Sequence, residues 1–133
     1  MTHTTDIRVY YEDTDAGGVV YNANYLKFAE RGRTEYLRTI GFENKSLKES
    51  KGILLVVRHI EADYLKPGHL DDLLTVETSI ESMKNTSIVM KQLVFREKDM
   101  LFSMDVTIVC VDADGLKPVR FPDDLKAGFE KGI

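Results

Sequence analysis

The sequence predicts an α+β fold in which a strongly curved antiparallel sheet wraps around one long central helix. Three observations predict it. Tyr25, Phe28, Ala29, Gly32, Tyr36, Leu37 and Ile40 recur at three- and four-residue steps, the period of an amphipathic helix. From Ile53 onward the period changes to two: Leu74, Val76 and Ile80 alternate with Thr75, Glu77 and Glu81. Finally, no internal repeat or low-complexity linker divides the 133 residues, which suit a single domain spanning 1–133.

In chain order, Ile7 to Tyr11 has the β-branched and aromatic content of a short strand, and the turn formers Asp13 to Gly18 end it. The helix follows. Asn22 supplies a short side chain able to cap its first turn and Gly41 tolerates the left-handed stop, giving about 16 to 20 residues. Gly32 lies on the apolar stripe, where it costs about 1 kcal/mol of helix propensity relative to Ala but admits a closely pressed sheet. Breaks at Lys66-Pro67-Gly68-His69, Lys84-Asn85-Thr86, Lys98-Asp99 and Asp112 to Gly115 divide the remainder into four strands suited to antiparallel hairpins. A short helix from Pro122 to Lys131 closes the chain. Ile88 to Phe95 is apolar on both parities, so its outer side is expected to be covered by another subunit.

Composition narrows the function. With 22 acidic against 18 basic residues and a net charge of −4, the chain is poorly suited to nucleic acid. Cys110, the one cysteine, sits in the run Val106 to Val111 and reads as a buried, reduced thiol, which points to the cytoplasm. Met1 to Arg8 lacks the marks of a secretory signal, and no apolar run approaches the ~18 residues of a spanning helix, so membrane insertion is not expected. His3, His59 and His69 show no ligand spacing, and neither a metal nor any other cofactor is expected. A Gly-x-Ser-x-Gly elbow and a phosphate-binding loop are both absent.

The chemistry concentrates between Arg8 and Asn22, where strand passes to helix through acids, two glycines and aromatics. Asp15 can serve as base or nucleophile, Gly17 and Gly18 let backbone pass close to a substrate, and the helix start offers oriented amides. Each residue also has an ordinary reading. Asp before a helix most often closes a turn, and Asp13 is expected to make a structural hydrogen bond or to face solvent. Tyr11 and Tyr21 are equally suited to packing. Arg58, Lys66 and His69 are candidate phosphate contacts, and otherwise exposed charges.

Tyr-Glu-Asp-Thr-Asp-Ala-Gly-Gly-Val-Val-Tyr-Asn-Ala-Asn-Tyr-Leu, residues 11–26, resembles the active-site signature of the 4-hydroxybenzoyl-CoA thioesterase family. The nearest likeness is to its Tol-Pal-associated acyl-CoA thioesterase branch, through Glu30-Arg31, Arg33-Thr34-Glu35, Leu70-Asp71-Asp72 and Val109 to Asp112. The resemblance implies a hotdog fold, a homo-oligomer (dimer or dimer of dimers, hence a homotetramer) and active sites at subunit interfaces. It implies hydrolysis of acyl-CoA, with Asp15 catalytic and the carbonyl polarised by the helix start near Asn22. Tyr11, Gly17, Gly18, Val19, Asn22 and Arg58 would contact the substrate, and acyl carrier protein is a further partner class. One departure stands out: Asn22 occupies a position where that branch usually has His. Two alternatives therefore stay open, a noncatalytic binder of acyl-CoA or acyl carrier protein, and an envelope-associated interaction module.

Overall fold

Residues 1–133 are described by a computed structural model. Its elements are strand β1 (Thr2–Arg8), helices α1 (Asn22–Thr39) and α2 (Asn44–Lys51), strands β2 (Ile53–Tyr64), β3 (Leu73–Met83), β4 (Ser87–Arg96) and β5 (Asp99–Asp112), and helix α3 (Asp123–Glu130). The five strands form one antiparallel sheet in the order β1-β3-β4-β5-β2, so β1 and β2 are its edges. The long helix lies on the inner face, its Tyr25, Phe28, Ala29, Gly32, Tyr36 and Leu37 buried as the three- and four-residue spacing requires. Leu74, Val76, Met90, Val94, Phe102, Met104 and Val106 face it from the sheet. No helix is long and apolar enough to cross a membrane.

Three local expectations are corrected. The first strand runs from Thr2 to Arg8 and ends before the Tyr pair, because Asp13 accepts the Tyr10 N–H at 2.8 Å and folds residues 11–13 into a 3-10 turn. This side-chain bond competes with the ladder and overrides β propensity. Helix α2 is unannounced by pattern: Leu47 is its sole buried residue, and eight residues carry too little periodicity to read. Its end at Gly52, with φ 64°, is a left-handed cap. The third correction is topological. Strand β2 pairs with β5 and not with β3, so Leu65 to Asp72 is a crossing from the β2 edge to β3 on the other side of the sheet rather than a hairpin.

Helix and sheet meet most closely at Gly32. A Cβ there would stand 2.8 Å from Val76 Cγ1 and 2.9 Å from Thr78 Oγ1, inside contact distance. Beside it Gln92, fully buried, donates to the Ala29 carbonyl (2.7 Å) and to Thr78 Oγ1 (2.9 Å) and accepts from Arg33 Nη1 (2.9 Å). Every polar atom of that amide side chain is therefore engaged, as burial demands. Gly32→Val is expected to destabilise the fold by about 1–3 kcal/mol, the usual cost of overpacking. Urea unfolding checks this, and an unchanged midpoint would mean that helix and sheet are less closely apposed.

The outer surfaces are less completely covered. Val89, Leu93 and Phe95 of β4 are half-buried, consistent with apolar residues on both parities. Edge strand β2 is barer: Val56, Val57, Ile60 and Tyr64 are all exposed. Cys110 is fully buried, and burial pushes its thiol up to about 11.

Candidate active site

The segment between β1 and α1 folds as a tight hairpin that delivers the chain into the helix. Tyr21 N–H donates to the Asp13 carbonyl (2.8 Å), Thr14 bridges Val20, and Asp15 N–H donates to the Val19 carbonyl (2.9 Å). Asp15 to Gly18 closes the tip through a 3.0 Å bond from Gly18 N–H to the Asp15 carbonyl, with Gly18 at φ +80°. That conformation is one that glycine adopts without strain. Gly17 contributes through its amide instead, which donates to Asp15 Oδ1 at 2.8 Å, and a Cβ on it would stand 3.2 Å from the same oxygen. The two glycines thus set the turn and hold one carboxylate oxygen, leaving the other open.

The two aspartates have separate fates. Asp13 is buried, accepting Tyr10 N–H on one oxygen and Asn24 Nδ2 of the first helical turn on the other (2.9 Å). It ties hairpin to helix, as expected of a structural carboxylate. Thr14 between them is extended, with φ −103° and ψ 157°. Asp15 is exposed, at the turn of the hairpin.

Asn22 is the first residue of α1 rather than its cap, which is Tyr21. Its side chain still does what a capping amide does, because Oδ1 accepts the Ala23 N–H at 2.9 Å. The Asn22 N–H itself takes no partner within the chain, so one oriented donor stays open at the positive end of the helix. An open cleft of about 400 Å³ lies here, lined by Val20, Asn22, Tyr25, Tyr64, Lys66 and Pro67.

The crossing segment builds the far wall. Tyr25 is stacked on Phe102 at 5.1 Å, and its hydroxyl accepts the Gly68 N–H at 2.9 Å. Gly68 in turn accepts the Val20 N–H at 2.8 Å. Burial pushes the Tyr25 phenol up from its ordinary value, although the Gly68 amide acts the other way, so it stays protonated at neutral pH. Tyr64 donates to the Asn22 carbonyl at 3.0 Å and packs on Phe102. Arg96 clamps the segment from β4, reaching Asp72 at 3.0 Å and the Pro67 carbonyl at 3.3 Å. Desolvation acts to raise Asp72, but the His69 amide and the Arg96 guanidinium together hold it below the usual carboxylate range.

The structure places Asp15, Gly17, Gly18 and Val19 on one hairpin and Asn22 in the cleft it leads to, which Lys66, paired to Asp99 at 3.2 Å, also lines. It does not gather the rest. Tyr11 is 83% exposed and lines a separate depression with Tyr10, Leu70 and Asp71. Arg58 occupies the irregularity in β2 and faces Ser82, Lys84 and Thr107 instead. Sequence reasoning missed Tyr64 and Tyr25 as cleft residues. The interruption at Lys66 to His69 was the available signal, but its neighbours in space become visible only when the crossing is known.

A curved antiparallel sheet wrapped around one long helix is the hotdog architecture. The model of the thioesterase superfamily matches residues 17–103. Acyl-CoA thioesterase YbgC of Haemophilus influenzae is 49% identical over 92% of this chain and 90% of its own length. Acyl-CoA thioester hydrolase YbgC of Escherichia coli O6:H1 is 44% identical over 94% and 93%. Among solved structures, a probable thioesterase from Bartonella henselae superposes with a TM-score of 0.88 at 40% identity, covering 92% of this chain and all of that one. The chain belongs to the thioesterase superfamily, alongside these YbgC proteins.

Proposed function

We propose that the chain hydrolyses acyl-CoA thioesters to a carboxylic acid and coenzyme A, as a single hotdog domain over residues 1–133. The observation that supports this is the junction itself: one short hairpin carries a carboxylate with one free oxygen and leads into a helix whose first amide has no partner. The thioester carbonyl sits against the Asn22 amide. Asp15 accepts a proton from water as the resulting hydroxide attacks the carbonyl carbon, or attacks that carbon itself to form an anhydride that water then opens. In either course the oxyanion gathers at the helix start, where a lost donor typically costs about 2.7–4 kcal/mol. Collapse expels the coenzyme A thiolate, which takes up a proton to leave as the thiol. Gly17, Gly18 and Val19 line the passage with backbone.

This reading assigns the site to the boundary between two copies. Asp15 is exposed in the single chain, and β2 presents an unpaired edge carrying Val56, Val57 and Ile60. Free edges of this kind are normally covered. A homodimer joined along β2 supplies the cover, and Val89, Leu93 and Phe95 offer a second face for pairing dimers into a homotetramer. Arg58, about 20 Å along β2 from Tyr64, meets coenzyme A only across that boundary. Ile60→Glu is expected to shift the protein to monomers in sedimentation velocity and to abolish turnover; an intact assembly would exclude the β2 edge as the interface.

The reduced, inaccessible Cys110 supports action in the cytoplasm, and acyl carrier protein is a second source of acyl thioesters there. A panel of short, long and aromatic acyl-CoAs, read by free-thiol release, tests the function. Turnover of at least one is expected. Binding of acyl-CoA without turnover of any would replace the proposal by a noncatalytic binding role.

A further inference from the structure

The first turn of α1 is held unevenly. The Asn22 amide is open, the Ala23 amide donates to Asn22 Oδ1 at 2.9 Å, and the Asn24 amide donates to the Tyr21 carbonyl at 2.8 Å. One peptide plane, joining Asn22 to Ala23, is gripped at both ends. Its N–H is the one that Asn22 Oδ1 accepts, and its carbonyl accepts the Tyr64 hydroxyl at 3.0 Å. The open amide belongs to the plane immediately before, and because peptides are rigid only the φ and ψ of Asn22 separate the two.

Tyr64 reaches that carbonyl from a different element. It is the last residue of β2, directly opposite Phe102 of β5. Its ring packs edge-on against Phe102, with centroids 5.1 Å apart, and against Tyr25 at 5.7 Å. Just beyond it the Leu65 and Lys66 amides both donate to the buried Leu101 carbonyl, at 2.8 and 3.2 Å, which anchors the exit of the strand. A phenol has few torsions to freeze, so a hydroxyl carried on so constrained a ring makes a stiff strut between sheet and helix start.

We infer that Tyr64 is a positioning residue for thioester hydrolysis: its hydroxyl fixes the Asn22–Ala23 peptide and thereby aims the Asn22 amide, a role that rests on the hydrolytic reading above. Aim matters because an oxyanion donor works only when it lies about 2.7–3.1 Å from the oxygen as charge develops on it. Tyr64 also lines the cleft, so its ring could instead serve by touching the acyl group. The two roles separate kinetically. Lost aim lowers kcat and kcat/KM together, whereas a lost ground-state contact raises KM at unchanged kcat.

Tyr64→Phe removes the hydroxyl and keeps the ring. With the best acyl-CoA substrate, free-thiol release is expected to show kcat lowered about three- to tenfold, the scale of one hydrogen bond, with KM within about twofold of wild type. Sedimentation and the urea midpoint should be unchanged. Asn22→Ala removes the other grip on the same plane, and its effect on kcat should be smaller in the Tyr64→Phe background than in wild type, because the plane is already released. Absence of wild-type turnover on every acyl-CoA would overturn the hydrolytic reading and the role of Tyr64 with it. Where wild type turns over, any of four results overturns the role of Tyr64 alone: an unchanged kcat in Tyr64→Phe, a raised KM at unchanged kcat, additive effects in the double variant, or a lowered urea midpoint or broken assembly that accounts for the loss.

Discussion

Asp15→Asn lowers kcat for the best acyl-CoA substrate by at least about a hundredfold, the range for loss of a catalytic acid-base group. The substitution is chosen because the structure makes it nearly silent for folding. A carboxamide oxygen at position 15 can accept the Gly17 N–H as Oδ1 does at 2.8 Å, so the turn survives. Exposure of the side chain removes any packing penalty, and stability should stay within about 0.5 kcal/mol of wild type. What the carboxamide lacks is basicity and nucleophilicity. Thiol-release kinetics beside a urea titration separate the two effects; full turnover in the variant would exclude Asp15 from the chemistry.

Asp13→Ala has the opposite profile. Two residues from Asp15, Asp13 is buried and holds the Tyr10 amide and the Asn24 carboxamide, so its removal strands two donors at about 1–3 kcal/mol each. A loss of about 2–4 kcal/mol is expected, on the order of 10 °C in Tm for a chain of this size. Activity falls with the fold, because the hairpin loses its tie to the first turn of α1. Urea unfolding should show a lower midpoint at unchanged slope. Wild-type stability in this variant would contradict the structural role assigned to Asp13.

That contrast was partly legible before any coordinates, and the reasons are local. Asp13, Asp15, both glycines and Asn22 act through bonds spanning fewer than a dozen residues, so their types and spacing constrain them directly. The limits of α1 follow for the same reason, from its stripe and from Gly41, whose φ is +92°. The four strand segments were legible from period-two alternation, but their pairing was not: β2 against β5 joins Ile53 to Asp112, a choice made by the whole sheet. The cleft wall was lost with it, since Tyr64 meets Asn22 only through the crossing. Asn22 as cap missed by one position, because its oxygen serves the amide next door while Tyr21 makes the cap. Arg58 was legible only as an interruption of an apolar strand, and the register shift between Val57 and His59 at which it sits depends on the pairing with β5.

Asn22 has a mechanistic consequence of its own. An imidazole there could move protons, whereas this carboxamide occupies the Ala23 amide and leaves the Asn22 amide as the open donor. In the proposed mechanism, proton transfer then falls to Asp15 alone, and the oxyanion site works through backbone.

A crystal structure of Asp15→Asn with a bound acyl-CoA tests this arrangement most directly. The predicted result is a thioester carbonyl oxygen about 2.7–3.1 Å from the amide nitrogen of Asn22, with the residue 15 side chain facing the carbonyl carbon. A thioester seated away from the start of α1, with position 15 turned to bulk solvent, would contradict it.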